Sequence, residues 1–395
     1  METKSSLFEA LKNASNEDNK LLIYNEFLRA KTIHNNQILN CQLELSPVCN
    51  LKCKFCYVRM TNQELAESGQ KIMRFDDWKY YIDELSNLGV FNFSLSGGEC
   101  MLHPDFIKIY NYIYDLGKQV SLITNCTCLT DEILKAFIQR PPTKIYITVY
   151  GASKETYSRL CGSGEAFERV LHNIDILLEN HMPVMLQSTI GNDNKKDFTK
   201  LYDIAQSKGV QIVSGDTLTQ FGKCDEDIIK ESQVDITEFQ KELKDFLQKN
   251  NSFAVHDDNK YMDYEFPTLP DEPKRNGMTC NSARNYCAIN WQGLMKPCVS
   301  FDAFTIDPRT NGGFKESWDK LCAWGKQVPL ITECQLCIFR NECRHCIAIH
   351  YNDTHEFGKV SPRLCFKIQH PEEAAKLQAE YDRRQALKKA EETKE

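Results

Sequence analysis

The sequence has no long apolar run, and no hydrophobic stretch follows its first residues. A membrane-spanning helix needs about 20 consecutive apolar residues, and a secretory signal needs its apolar segment at the start. Neither is present, so a cytosolic (cytoplasmic), non-membrane protein is expected. Positive charge is also in short supply. Lys and Arg total 48 against 55 Asp and Glu, for a net charge of -7. That balance leaves no electrostatic footprint for nucleic acid or an anionic membrane, and no partner of either kind is expected. Internal repeats and low-complexity segments are absent as well.

Cysteine, by contrast, is abundant, with 18 in 395 residues. In a reducing compartment so many thiols do not form a disulfide framework. Their clustering points instead to metal or redox chemistry. One group runs from Cys49 to Cys56, a second from Cys280 to Cys298 and a third from Cys334 to Cys365. With 42% hydrophobic residues the chain can bury a large core, and its length fits two or three domains.

Residues 1–40 read as an N-terminal helical extension, with breaks near Asn13 and Asn35. From 41 to 222 strands and helices alternate. The segments 38–46, 90–98, 119–125, 144–151, 182–190 and 210–215 have strand character, separated by helical stretches such as 76–89 and 166–180. This alternation predicts parallel βαβ units. Six such strands favour an open α/β barrel over a doubly wound sheet, although periodicity does not choose between them. Either fold places its active site at the C-terminal ends of the strands. Residues 223–275 read as a charged helical linker with a loop around 266–277. Residues 276–370 read as a small cysteine-rich domain of the kind that relies on metal, and 371–395 as a charged, solvated helix.

The segment CNLKCKFCY spaces Cys49, Cys53 and Cys56 as Cys-x3-Cys-x2-Cys. Iron–sulfur clusters are held by Cys thiolates, usually four. A short loop can wrap one face of a 4Fe-4S cubane with three sulfurs and leave one iron open. A zinc site or three buried thiols are the plain alternatives, although zinc sites commonly use two Cys-x2-Cys pairs. With an aromatic, Tyr57, directly after the last cysteine, the pattern resembles the radical S-adenosylmethionine (SAM) superfamily. The next strand ends in SLSGGE, which matches that family's Gly-Gly-Glu motif at Gly97, Gly98 and Glu99. Glycines let the backbone approach a ligand closely, and a carboxylate suits an ammonium group.

The resemblance implies a partial (β/α)6 TIM-like barrel in which SAM chelates the open iron through its amino and carboxylate groups. One electron then cleaves the sulfonium, and a 5'-deoxyadenosyl radical abstracts hydrogen from the substrate. A reductant such as flavodoxin or ferredoxin is implied too. Further SAM contacts carried over from the family fall on Tyr57, Thr124, Asn125, Thr148 and Arg169. The family often has Thr-Asn-Gly where this chain has Thr124, Asn125 and Cys126, and Arg169 reads equally well as an exposed helix charge. His103 reads as a structural histidine at a helix start.

Cys280, Cys287 and Cys298 are followed by Cys334-x2-Cys337-x5-Cys343-x2-Cys346 and then by Cys365. Those eight cysteines suffice for two fully ligated 4Fe-4S clusters. Read alone, the run from Cys334 to Cys346 also suits one tetrahedral zinc. The order, with Gly293 five residues before Cys298, resembles the SPASM domain. The closing x2 spacing departs from the usual x3. The resemblance implies auxiliary cluster I on Cys280, Cys287, Cys298 and Cys346, and auxiliary cluster II on Cys334, Cys337, Cys343 and Cys365. That makes three clusters in all. Without Cys287, cluster I keeps an open iron that a substrate thiol can occupy.

Family members with both features mostly modify residues of ribosomally made peptides or proteins, by crosslinking, thioether formation or epimerisation. A peptide maturase is therefore expected. Too few residues precede the first strand for the leader-recognition domain many maturases carry, which implies a separate leader-binding protein or another surface. Sulfatase maturases, which form formylglycine, have an Asp after the cysteine matching Cys298. Here that residue is Val299, which makes this activity the second reading. A cofactor-biosynthesis enzyme acting on a small molecule or tetrapyrrole, and a non-catalytic iron–sulfur or zinc scaffold, are the other classes. Cys41, Cys100, Cys126, Cys128, Cys161, Cys224 and Cys322 are left unassigned. Among them Cys100 and Cys126 are candidate hydrogen-donor thiols, each with the plain reading of a small buried hydrophobe.

Overall fold

The computed structural model describes residues 17–250, 276–340, 343 and 345–392. The readings placed on 1–16 and on 251–275 lie outside the described residues. Six strands build the centre: β1 (Asn40–Glu44), β2 (Asn92–Ser96), β3 (Gln119–Thr124), β4 (Lys144–Thr148), β5 (Val184–Thr189) and β6 (Ile212–Gly215). All pair in parallel, in the order β6-β5-β4-β3-β2-β1. A helix crosses over between most neighbours, as parallel pairing requires. The fold is thus the expected open, TIM-like α/β barrel.

Strand alternation decides what each face buries. Leu43, Leu95, Leu122, Ile145 and Leu186 are fully buried on the outer face, under the helices. Gln42, Ser96, Thr148 and Gln187 alternate with them and line the interior. The helices meet the outer face with apolar residues at helical spacing. Helix Phe75–Asn87 buries Trp78, Tyr81, Ile82 and Leu85, and helix Glu165–Glu179 buries Val170, Ile174 and Leu177. Full burial of one such side chain contributes about 1.5–3 kcal/mol.

The sheet does not end at β1. Strand β7 (Tyr286–Ile289) adds to it in parallel, and β8 (Met295–Lys296) returns antiparallel to β7. The turn between them uses Gly293 at φ 85°. The cysteine-rich segment therefore begins inside the barrel's own sheet. It also contains a 15-residue helix, Gly313–Gln327, that sequence periodicity did not reveal. Its buried stripe is Phe314, Ser317, Trp318, Leu321, Cys322 and Gly325, and Ser and Gly blur the apolar period. Trp318 Nε1 donates to the Asn36 carbonyl at 2.7 Å, and Asn285 Nδ2 donates to Thr32 Oγ1 at 3.0 Å. These bonds tie helix Glu17–His34 and the chain after it to the C-terminal segment. Among the described residues no helix is long and apolar enough to cross a membrane.

Candidate active site

The loop carrying Cys49, Cys53 and Cys56 leaves the C-terminal end of β1. Helix Lys154–Cys161 holds it. That helix starts at Ser153, whose hydroxyl accepts from the Thr156 amide at 3.2 Å, and stops at Gly162 with φ 72°. Its last carbonyls lack intrahelical partners, as at any helix end. The Lys52 and Lys54 amides fill them, donating to the Cys161 and Leu160 carbonyls at 2.8 Å each.

All three loop cysteines line one cavity. Cys49 Sγ accepts from the Leu51 amide at 3.4 Å and from Asn125 Nδ2 at 3.6 Å, and Cys56 Sγ accepts from the Arg59 amide at 3.3 Å. Burial pushes the Cys49 thiol up to about 12, and neighbouring Glu99, Cys53 and Cys56 add to the effect. Metal ligation must displace such protons. N–H groups aimed at sulfur favour the thiolate and tune a cluster's potential. Three sulfurs on one wall, each half-buried, fit one face of a 4Fe-4S cluster.

The cavity occupies about 600 Å³ at the C-terminal ends of the strands. Its wall is built of hydroxyls, amides, thiols and backbone, and no charged side chain is among the described residues lining it. Gly97 and Gly98 form part of that wall. Gly97 has φ 129°, and a Cβ there would sit 2.4 Å from the Ser46 carbonyl oxygen. The Gly98 amide donates to the Ser46 carbonyl at 2.8 Å and the Glu99 amide to the Val48 carbonyl at 2.9 Å. The motif is thus zipped to the residues that lead into Cys49.

Glu99 takes a different position from the one its motif suggests. Its side chain is fully buried and turned away from the cavity. The carboxylate accepts from Thr124 Oγ1 at 2.8 Å, from the Asn125 amide at 2.8 Å and from the Met101 amide at 3.1 Å. Burial raises its pKa while these donors oppose the rise. Glu99 therefore shapes the Thr124–Asn125 wall, and the glycine backbone is what the motif presents to the cavity. Thr124, Asn125 and Thr148 do line it. Arg169 is exposed on helix Glu165–Glu179 and is not part of the lining. Tyr57 lines the cavity in part, but its hydroxyl donates to the buried Glu44 Oε1 at 2.9 Å.

Cys100 and Cys126 are fully buried and absent from the cavity wall. Cys100 Sγ lies 3.7 Å from both Glu99 Oε1 and the Ile123 carbonyl, and Cys126 takes φ 60°, where the family often has Gly. The cavity thiol that sequence reasoning missed is Cys224. It lies in the turn after β6, lines the wall, and burial pushes it up to about 11. No spacing signal marks it, since the turn is brought there only by folding. His103 is structural: its Nε2 meets the Met73 carbonyl at 2.9 Å and its Nδ1 accepts from the Asp105 amide at 3.1 Å.

Residues 43–205 match the family model of the radical SAM superfamily. The chain is a radical SAM enzyme. The AdoMet-dependent heme synthase of Methanosarcina barkeri is 24% identical to it over 341 residues, which cover 82% of this chain and 95% of that protein. The subtilosin biosynthesis protein AlbA of Bacillus subtilis is 23% identical over 321 residues, 78% of this chain and 67% of AlbA. Streptococcus suis SuiB, solved with its precursor peptide SuiA, superposes with a TM-score of 0.60 at 14% identity, over 87% of this chain and 79% of that chain. The last likeness is one of fold.

The C-terminal cysteines of this radical SAM enzyme fall into two groups. Cys334, Cys337, Cys343 and Cys365 surround a small space of about 20 Å³, and the Phe366 amide donates to Cys343 Sγ at 3.4 Å. Burial pushes Cys334 up to about 12, with the other three adding to the rise. Burial pushes the Cys298 thiol up to about 11, and the charges of Cys346 and Cys280 add to that rise, which leaves these three as the candidates for a second group. Cys287 is not with them. It is fully buried in β7, and its Sγ lies 3.7 Å from Cys41 Sγ. Among the described residues, no three His, Cys, Asp or Glu side chains converge as ligands of a single ion do.

Proposed function

We propose that this enzyme cleaves SAM reductively and modifies a residue of a ribosomally made peptide or protein, by crosslinking, thioether formation or epimerisation. Cys49, Cys53 and Cys56 hold the SAM-binding cluster. The Gly97–Gly98 backbone, Asn125 and Thr148 contact SAM. When bound, the cluster supplies the electron that releases a 5'-deoxyadenosyl radical. The rest of the wall, including Gln42 and Gln187, orients the substrate and excludes water. Cys334, Cys337, Cys343 and Cys365 hold one auxiliary cluster, and the group around Cys298 holds the other. A flavodoxin or ferredoxin supplies electrons, and a separate protein can present the leader.

The observation that carries the peptide reading is the uncharged, amide- and hydroxyl-rich cavity wall above the three cysteines. Such groups pair with the backbone amides of a peptide. A second reading, a tetrapyrrole substrate, is favoured by the match along 95% of a heme synthase. Tetrapyrrole carboxylates call for cationic partners, and the described wall offers none.

Anaerobically prepared protein should contain about twelve iron and twelve sulfide per chain. With dithionite and SAM it should release 5'-deoxyadenosine, and its absence would leave a non-catalytic scaffold. Mass spectrometry of a co-expressed candidate peptide then reads the modification. Turnover of an iron porphyrin, with the peptide unchanged, would replace the first reading by the second.

A further inference from the structure

We propose that Tyr286, from the cysteine-rich segment, is a positioning residue of the barrel cavity: acting through Gln42, it fixes the Ser96 hydroxyl as a donor to a backbone carbonyl of the substrate peptide. This rests on the peptide reading proposed above.

Strand β7 lies beside β1 with Tyr286 opposite Asn40 and Ala288 opposite Gln42. Residues alternate between faces along a strand, and residues paired across a ladder share a face. Cys287 and Ile289 are fully buried opposite Cys41 and Leu43, toward the helices. Tyr286 and Ala288 therefore share the interior face with Gln42. Ala288 is too short to fill the space in front of Gln42, and the Tyr286 side chain reaches past it along the diagonal. Tyr286 itself is not part of the cavity lining, whereas Gln42 and Ser96 both are.

The Tyr286 hydroxyl donates to Gln42 Oε1 at 3.0 Å, and Gln42 Nε2 donates to Ser96 Oγ at 2.8 Å. A side-chain amide has one acceptor end and one donor end. With the phenol holding the oxygen, the nitrogen faces Ser96. Ser96 Oγ then accepts, and its single hydrogen has to point elsewhere. Among the described residues no acceptor takes it. Ser96 is only 4% exposed and sits in the cavity wall directly before Gly97. Buried hydroxyls are seldom left without a partner, so a donor held this way calls for a ligand acceptor. Without the phenol the amide can turn over, and its oxygen would take the Ser96 hydrogen instead.

The same wall offers a matching acceptor. Gln187 Nε2 donates to Thr148 Oγ1 at 2.9 Å, which leaves Gln187 Oε1 without a donor among the described residues. Both residues line the cavity. A fixed donor on β2 and a fixed acceptor on β5 suit the C=O and N–H groups of a peptide backbone. A carboxylate would call for a cation, and none lines the described wall.

The test uses anaerobically reconstituted full-length enzyme with SAM, dithionite and a synthetic copy of the co-expressed candidate peptide that the wild type modifies. Tyr286→Phe should raise KM for the peptide about threefold to tenfold, the worth of one hydrogen bond, and leave KM for SAM within about twofold of wild type. Ser96→Ala should raise KM for the peptide at least as much. Adding Tyr286→Phe to Ser96→Ala should cost nothing further, because the hydroxyl it positions is gone. A wild-type KM for the peptide in Tyr286→Phe, or additive losses in the double variant, would overturn the proposal. A rise in KM for SAM in place of the peptide would overturn it as well, since the hydroxyl would then belong to SAM. If the wild type leaves the peptide unchanged and turns over an iron porphyrin, the peptide reading falls first and the proposal with it.

Discussion

Replacing Gly98 by Ala should disable SAM cleavage, and the reason is a contact rather than a strained backbone. A Cβ at this position would lie 2.5 Å from the carbonyl oxygens of both Pro47 and Val48, and 2.7 Å from the Val48 carbonyl carbon. That is about 0.9 Å short of ordinary van der Waals contact, which begins near 3.4 Å. The opposing atoms are backbone, so no side chain can rotate aside. They are also fastened to the motif by the Gly98–Ser46 and Glu99–Val48 hydrogen bonds. Overpacking of this kind costs about 1–3 kcal/mol, and each backbone bond lost adds about 0.5–1.5 kcal/mol. Cys49 follows Val48 directly, so the shift is passed to a cluster ligand. A misplacement of about 1 Å at a reacting site costs on the order of 100-fold in rate. Gly98→Ala should therefore slow 5'-deoxyadenosine formation by about that factor while lowering the melting temperature moderately. Gly117→Ala is the matched control. Gly117 has φ 70° with nothing within 4 Å, so Ala there incurs only the left-handed penalty of about 1–2 kcal/mol. Its melting temperature should fall comparably, with SAM cleavage unchanged. Wild-type cleavage by Gly98→Ala, or equal loss in both variants, would refute the reasoning.

Four further outcomes follow from named contacts. If the product is an epimerised residue, Cys224→Ala should keep SAM cleavage and lose peptide product, while Cys100→Ala and Cys126→Ala keep both; unchanged product from Cys224→Ala removes the thiol's role. Asn125→Ala deletes the N–H donor to Cys49 Sγ, so the first cluster's midpoint in an EPR-monitored titration should move to lower potential, and an unmoved midpoint would contradict this. Arg363 donates to Asp353 Oδ1 at 3.0 Å and to the Leu218 carbonyl at 2.7 Å; Arg363→Ala should destabilise by about 3–5 kcal/mol in denaturant unfolding, because it leaves a buried carboxylate without its cation, and a loss under about 1 kcal/mol would disprove that. The Arg74 guanidinium, 2.6 Å from Asp105, holds that carboxyl below the usual range. A depressed folded-state pKa stabilises above the unfolded value of about 3.9 and is lost as pH falls through the folded value. Asp105→Asn should thus be less stable than wild type at neutral pH, and the gap should close in acid.

Legibility followed the range of the signal. The six barrel strands were readable because outer-face residues such as Leu43, Leu122 and Ile145 recur at period two between helical patterns. The three cluster cysteines were readable because a loop of eight residues carries them all. Strand β7 was not, since four residues of strand inside a cysteine-rich segment carry no period that names their partner. Cys224 was not, because its turn reaches the cavity only after β6 has taken its place beside β5.

Residue type and spacing alone determined that thiolates gather in three groups, and that glycines follow the strand after the first. These are local facts of covalent order. Which way a side chain faces is a different matter, because strand register and packing settle it. Only the tertiary structure turned Glu99 inward beneath Thr124, set Cys100 and Cys126 behind the wall, and put Cys287 against Cys41 in the core. A strand offers each residue one of two faces, and nothing in the spacing of cysteines says which face holds the metal.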